Sequence, residues 1–443
     1  MNALLKRLMS TLATVAAACG AVPGHAAIPN EQFFPVLVFR TGAYAPNGVP
    51  WANGFVDYLN LVNERDGGIG GVKITYEECE TGYSTDRGVE CYERLKGKGP
   101  TGATSFNPLS TGITFALGDK VAADRIPLIT MGYGRSESTD GSVFKWNFPL
   151  LGTYWDAADM LVQHVAAREG GMPKLRGRKI ALLYHDSPYG KEPIPVLQAL
   201  SHRLGFEFIA IPVAHPGVEQ KAAWLQIRQA RPDHVFVWGW GVMNSTAINE
   251  AIAVNYPRDR MYGVWWAGAE PDVLPAQAAA AGYNALTLQH SADQRRVHDD
   301  IRRYVYGRGK GAGEASAVGQ VLYNRGLLNA LLVVEAVRTA QGRHGRRPLT
   351  GEQVRWGVEH LAIDAARIAA LGIDGMLQPL HTSCADHEGA HRARIHSWNG
   401  TAWQYTSDWY ESDRALLGPM MAVAAKKYAA DKGLPVRDCS QEG

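Results

Sequence analysis

Five residues near the carboxyl end have the types of a metal site. His381, Cys384, Asp386, His387 and His391 fall within eleven residues, with the spacing H-x2-C-x2-H-x3-H. Imidazole nitrogen and thiolate sulfur bind zinc at such spacings. Two features weigh against it: Cys384 has a disulfide partner available in Cys439, and no helix or strand pattern in the segment fixes ligand geometry. The segment reads as a polar loop. An exported enzyme or metal-binding protein using His381, Cys384, His387 and His391 is the alternative function. A second run, Gly307-Arg308-Gly309-Lys310-Gly311, has the composition of a phosphate cradle. It neither follows a strand nor opens a helix in a βαβ unit, so it reads as a loop. The P-loop, the H-E-x-x-H zinc motif and the G-x-S-x-G elbow are all absent. No catalytic residue and no cofactor is assigned, and the expectation is a binding protein rather than an enzyme.

The positive signal lies where short apolar runs end. Thr41-Gly42-Ala43-Tyr44, Asn107 to Gly112 and Gly132-Tyr133-Gly134-Arg135 follow runs in the first part of the chain. His185 to Gly190, Gly239-Trp240-Gly241 and Trp265-Trp266-Ala267-Gly268 do so in the second. Small residues let backbone N–H groups approach a ligand, and tyrosine and tryptophan make flat walls. Ser110, with Thr111 beside it, opens a helix whose free N–H groups form an anion cradle. Any one of these aromatics would serve equally well in a core; several sets at strand ends together point to a pocket.

These loops need a scaffold that brings them together. Strands are expected at 35–40, 72–76, 103–106 and 127–131, with helices at 50–65, 84–96 and 110–124. The rhythm restarts with helix 153–168. Strands 179–184, 207–213, 234–238, 261–265 and 285–289 then alternate with helices 192–204, 219–230, 244–254 and 270–281. Such alternation implies α/β architecture, mainly parallel sheets doubly wound by right-handed crossovers, and two blocks imply two lobes. In open sheets of this kind ligands bind outside the carboxyl ends of the strands. Beyond residue 295 come helices 295–307, 316–340 and 351–361. A hairpin follows at 394–407, turned on Asn399-Gly400, and then a helical charged tail over 411–432.

Composition sets the outer limits. The chain has 443 residues, 46% of them hydrophobic and 20% charged, which excludes a disordered chain, a coiled coil and a fibre. A net charge of +2 leaves no footprint for nucleic acid. Lys6 and Arg7, the apolar stretch Leu8 to Ala18 and Gly24-His25-Ala26 make residues 1–26 a secretory signal peptide. The alternative, acylation of Cys19, lacks the large aliphatic residue usual at −3. No later stretch is long and apolar enough to span a bilayer. Export makes disulfides the expected state of Cys79, Cys91, Cys384 and Cys439. Of the three possible pairings, Cys79–Cys91 with Cys384–Cys439 closes the shortest loops.

Read together, Asn63-Glu64-Arg65-Asp66-Gly67-Gly68-Ile69, Tyr76 to Cys79 with Cys91, Ile126-Pro127-Leu128-Ile129-Thr130, and Tyr184-His185-Asp186 with Tyr189-Gly190 resemble a known family. The chain is similar to the type I periplasmic binding proteins, in the leucine/isoleucine/valine-binding branch that feeds ABC transporters. The resemblance runs from about residue 34 to about 400. It implies a two-lobed fold joined by three crossovers that closes on a small ligand. Lobe one would comprise 27–150 with about 290–376, and lobe two 151–289 with about 377–410, leaving 411–443 as a tail. It also implies the periplasm as location, ABC permease subunits as partners, membrane contact only through them, and the small early disulfide at Cys79–Cys91.

The ligand positions implied are Tyr44, Ser110, Thr111, Gly132, Tyr133, Gly134, Tyr189, Trp240 and Trp265. Ser110 matches the serine that receives an amino-acid carboxylate, and Tyr189 the tyrosine of lobe two. Gly132-Tyr133-Gly134 stands where the family has Ala-Ala-Thr, so the hydroxyl expected for the ligand's amino group is missing. The acid that pairs with the ammonium is missing near Trp265-Trp266, and Glu270 comes a few residues late. The expectation is a ligand with an acidic or polar head and a flat or apolar body.

Overall fold

The computed structural model describes residues 29–289 and 294–441. The expected signal peptide, with Cys19, lies outside the described residues. The chain begins β1 (Glu31–Val38), α1 (Ala45–Asp66), β2 (Lys73–Glu80), α2 (Thr85–Leu95), α3 (Thr111–Asp124), β3 (Leu128–Ile129) and β4 (Asn147–Phe148). β1 pairs parallel with β2, and β3 with β4. Extended chain at Ala103 to Phe106 joins the two pairs, through parallel bridges Phe33 to Ala103 and Phe106 to Leu128. The expected strand there is therefore present only as bridging chain.

The second run is α4 (Tyr154–Glu169), β5 (Lys179–His185), α5 (Pro188–Lys191), α6 (Ile194–Leu204), β6 (Glu207–Val213), α7 (Lys221–Ala230), β7 (His234–Trp238), α8 (Val242–Ala253), β8 (Met261–Gly263), α9 (Glu270–Val273) and β9 (Asn284–Thr287). After it come α10 (Arg296–Tyr304), α11 (Val321–His344), α12 (Gly351–Glu359), β10 (Ala362–Ile363), α13 (Ala365–Leu371), β11 (Leu380–His381), β12 (Arg392–Trp398), β13 (Trp403–Tyr405), β14 (Tyr410–Glu411) and α14 (Arg414–Lys432). The large sheet runs β13-β12-β9-β8-β7-β5-β6, with β14 beside β12. β5 to β9 are parallel, and the late strand β12 returns antiparallel onto β9. The fold is thus α/β with two lobes, each built on a mainly parallel sheet.

Local chemistry explains the helix ends that position the site. Ser110 is the N-cap of α3, its hydroxyl accepting from Ile113 N. Thr153 and Asp156 form a capping box that starts α4. Helices α1 and α11 cross at two glycines. A Cβ on Gly54 would lie 1.9 Å from Tyr323 O, and one on Gly326 would lie 1.9 Å from Trp51 O. Only residues without a side chain permit that approach.

Three further elements differ from the sequence reading. The helix expected over 270–281 is a short α9 and then a 3-10 stretch over Leu274–Ala280, broken where Gln277 takes φ 50°. The hairpin turn is not a two-residue type I′ turn: Trp398 pairs with Trp403, leaving a four-residue loop. There the Asn399 side chain accepts from Thr401 N and Ala402 N, an Asx arrangement that replaces the tight turn. Helix α1 begins at Ala45 and carries Pro50 inside.

Both expected disulfides form, Cys79–Cys91 and Cys384–Cys439. The second ties the tail back to the loop between β11 and β12. No helix among the described residues is long and apolar enough to cross a membrane.

Candidate functional site

The carboxyl ends of strands from both lobes converge on one enclosed cavity. Lobe one contributes Tyr83 beyond β2, Leu109, Ser110 and Thr111 at the start of α3, and Tyr133 beyond β3. Lobe two and the crossover contribute Tyr154, Tyr189, Trp240 and Trp266. The lining contains no carboxylate and no basic side chain. The space between these groups is about 10 Å³, room for about one water molecule. Any organic ligand therefore enters only when the lobes part.

The rings are held by hydrogen bonds at their polar ends. Tyr133 Oη accepts from Leu109 N at 2.8 Å and donates to the Asn107 side chain. Tyr189 Oη donates to Gly239 O at 2.9 Å. Trp266 Nε1 donates to Gly132 O at 2.8 Å, and its ring meets Trp240 edge-on at 5.4 Å. Burial pushes the Tyr133, Tyr154 and Tyr189 phenols well above their usual range, so the wall stays neutral.

One buried donor in the lining, Trp240 Nε1, has no hydrogen-bond partner among the described residues, while the Thr111 hydroxyl lies against the Tyr154 phenol. Leaving a buried donor unpaired costs about 1–3 kcal/mol. The first N–H groups of α3 also lack intrahelical acceptors. The site therefore presents donors within an aromatic box.

Of the residues singled out from sequence, Ser110, Thr111, Tyr133, Tyr189 and Trp240 come together in this lining. Four do not. Gly132 lies behind the wall, its carbonyl accepting from both Trp265 and Trp266. Gly134 packs against Thr114 and Thr130. Trp265 is fully buried and stacks on Tyr154, with ring centroids 6.2 Å apart. Tyr44 sits at the lobe junction, its hydroxyl 2.8 Å from both His185 Nε2 and His215 Nδ1. Leu109 and Trp266 belong to the strand-end loops Asn107 to Gly112 and Trp265 to Gly268 read from the sequence but were not named as ligand positions, and Tyr83 and Tyr154 were not singled out at all.

Glu270 is outside the lining: it accepts from Val321 N at 3.1 Å, at the start of α11, and burial pushes its carboxyl up to about 7. Asp272, pushed up to about 6 by burial, is held by Asn47, Asn244 and Ala269 N. Behind Trp266 lies the buried guanidinium of Arg325, 4.8 Å from the ring centroid and bonded to Trp265 O.

The histidine cluster does not assemble as a zinc site. Cys384 is consumed by its disulfide. His387 bonds Asn147 O through Nδ1 and the Glu359 carboxylate through Nε2. His391 pairs with Asp386 and Glu388. Lys310 and Arg308 of the glycine-rich run pair with Glu64.

Two α/β lobes with an aromatic junction at their strand ends define a type I periplasmic binding protein. The chain belongs to the periplasmic binding protein family, whose model matches residues 31–402. A solved structure from the Pseudomonas fluorescens group, described as an ABC transporter permease, is 46% identical, covering 93% of this chain and 100% of its own, with a TM-score of 0.86. A branched-chain amino acid ABC transporter protein of Thermus thermophilus, solved with bound valine, shares the fold at 21% identity and TM-score 0.72, covering 87% and 99%. So does a solute-binding protein of R. palustris in complex with benzoate, at 16% identity and TM-score 0.65, covering 86% and 98%. No curated protein matches the chain.

Proposed function

We propose that this chain is an exported, periplasmic solute-binding protein that captures a small organic anion with an aromatic or otherwise flat body between its lobes. It then delivers that ligand to the permease of an ABC transporter of the branched-chain amino acid class. The observation that carries the reading is the composition of the cavity: donors at the start of α3 and at Trp240, rings on every other side, and no carboxylate. An α-amino acid needs an acceptor or an anion for its ammonium group. Here the acids around the wall are engaged elsewhere, Glu270 by Val321 N, Asp272 by Asn244 and Glu192 by Ser136. A carboxylate on a planar body would accept from Trp240 Nε1 and the first N–H groups of α3 and stack its faces on tyrosine and tryptophan. The benzoate-bound R. palustris protein is a precedent for such a ligand in this fold.

A thermal-shift and calorimetric series tests the reading. Benzoate-type acids should raise the melting temperature and bind without being turned over, while the corresponding amides and free valine or leucine should do so weakly or not at all. Binding confined to aliphatic amino acids would sink it.

A further inference from the structure

A second, larger cavity lies on the outer side of lobe one, about 490 Å³ in volume. One wall is the middle of α3, the same helix whose first residues line the cleft. The opposite wall is built by α14 and the chain after it, through Tyr428, Lys432, Leu434 and Arg437. That wall lies beyond the residues matched by the family model, so the cavity is an addition to the shared fold. It is also anchored: Arg437 N donates to Ser142 O at 2.8 Å, and Cys439 is disulfide-bonded to Cys384.

We propose that this cavity is a second binding site, for a small amphipathic organic anion: a carboxylate or sulfonate carried on an aromatic or alkyl body. Its volume falls in the range of small-molecule pockets. Its charge is one-sided. Arg135, Lys145, Lys432 and Arg437 line it against a single acid, Asp119. Three of these cations already hold carboxylates: Arg135 pairs with Glu137, Lys432 with Asp119 and Arg437 with Glu359. Among the described residues none pairs with Lys145, which leaves it free to meet an anion. The body of the ligand would lie along Trp146, beside Lys145, and the edges of Phe144 and Tyr428, which stack on one another at 4.8 Å with Arg135 over the Tyr428 ring.

Gly118 supports the same conclusion. It stands in the interior of α3, where glycine weakens a helix by roughly 1 kcal/mol relative to alanine. Close packing does not require it: a Cβ there would meet only the Tyr428 hydroxyl, at 3.9 Å. A side chain at 118 would project into the cavity, and glycine keeps that space open.

The probe is 8-anilinonaphthalene-1-sulfonate, titrated into the full chain without its signal peptide and followed by probe fluorescence and equilibrium dialysis. The expected result is saturable binding that weakens with salt. Gly118→Leu fills the space while favouring helix, and should abolish the saturable phase without lowering the melting temperature. Lys145→Glu, at a half-buried position beside Trp146, should weaken binding at least about tenfold. If Gly118→Leu misfolds, Lys145→Glu alone still decides. Absence of saturable binding by the unaltered chain, or titrations unchanged in both variants, would overturn the proposal. Binding lost only in Ser110→Ala or Trp266→Ala would place the probe in the cleft and overturn it equally.

Discussion

The Tyr44 hydroxyl of lobe one lies 2.8 Å from His185 Nε2 at the end of β5, and the same oxygen lies 2.8 Å from His215 Nδ1. One phenol thus bridges two imidazoles of the facing lobe, and the contact exists only while the lobes are shut. Trp265 and Trp266 donating to Gly132 O, Ser136 donating to Glu192, Val242 N donating to Ala43 O and Asn47 donating to Asp272 are further fastenings across the junction. Tyr44→Phe removes one hydroxyl and two hydrogen bonds, each worth about 0.5–1.5 kcal/mol. Ligand affinity should fall about fivefold to a hundred-and-fiftyfold, read by calorimetry, with little change in the melting temperature of the ligand-free chain. An unaltered affinity would show that the bridge does not contribute to closure.

The same bridge makes closure sensitive to acid. Burial, with His215 alongside, holds the His185 imidazole down to about 3, and burial lowers His215 as well. When the lobes part, both rings regain water and titrate near their ordinary value of about 6.5. Between these values the open form binds more protons, so the contribution to closure is complete above about pH 6.5 and is lost as pH falls toward 3. Glu192 acts in the opposite sense: loss of water and nearby Glu137 push its carboxyl up, which disfavours closure as pH rises. Affinity measured from pH 4 to 9 should therefore weaken at both ends. His185→Asn should flatten the acid limb and Glu192→Gln the alkaline one; limbs unchanged in these variants would refute the assignment.

Much of this geometry was legible in the residues. The rule that ligands gather at strand ends was sufficient to bring Ser110, Thr111, Tyr133, Tyr189 and Trp240 into one lining: Tyr133, Tyr189 and Trp240 follow strands with plain apolar runs, and Ser110 and Thr111 follow the bridging chain at 103–106. It failed at Tyr83 for a physical reason. β2 runs on through Glu77, Glu78 and Glu80, charges that mark a loop in sequence but here sit at a sheet edge, with Glu78 paired to Arg40 and Glu77 to Lys98. Trp265 and Trp266 could not be told apart, since successive residues in a turn face opposite ways and only the backbone decides which ring meets the cavity. Tyr44 has the type and position of a ligand residue, yet its partners are two histidines far away in the chain.

The histidine segment supports a structural prediction. Burial opposes ionisation of Glu359, but hydrogen bonds from His387 and Arg437, with Arg355 alongside, hold its carboxyl well below the usual range. Glu359→Ala would strand these groups in the interior. Breaking a buried charged network from one side costs about 3–5 kcal/mol, so the melting temperature should drop by many degrees, and added zinc should not restore it. Restoration by stoichiometric zinc would revive the metal reading of His387 and His391.

The Cys384–Cys439 bond closes a separation of 55 residues, for which loop entropy alone gives roughly 4 kcal/mol as an upper figure. Cys439→Ser should lower the melting temperature and expose the chain after Lys432 to limited proteolysis. Peptide mapping without reductant should recover both this pair and Cys79–Cys91. Proteolysis unchanged in Cys439→Ser would mean that Arg437 and its partners alone secure the tail.

The two cleft tryptophans separate wall from core. Trp266 and Trp240 meet edge-on inside the cavity, whereas Trp265 is enclosed by Tyr154 on one side and bonded to Gly132 behind. Trp240→Ala removes a ring and the unpaired Nε1 donor together. It should weaken binding of a benzoate-type ligand about tenfold to a hundredfold, through lost stacking area and one hydrogen bond. The ligand-free melting temperature should fall little, because this ring becomes solvated when the lobes are open. Trp265→Ala should do the reverse, since truncating an enclosed aromatic costs about 3–5 kcal/mol of stability. Intrinsic tryptophan emission should shift on ligand addition in the unaltered chain and in Trp265→Ala, and the shift should shrink in Trp240→Ala. If Trp240→Ala instead destabilises the free chain by many degrees while binding survives, then Trp240 is core, and the ligand does not contact the end of β7.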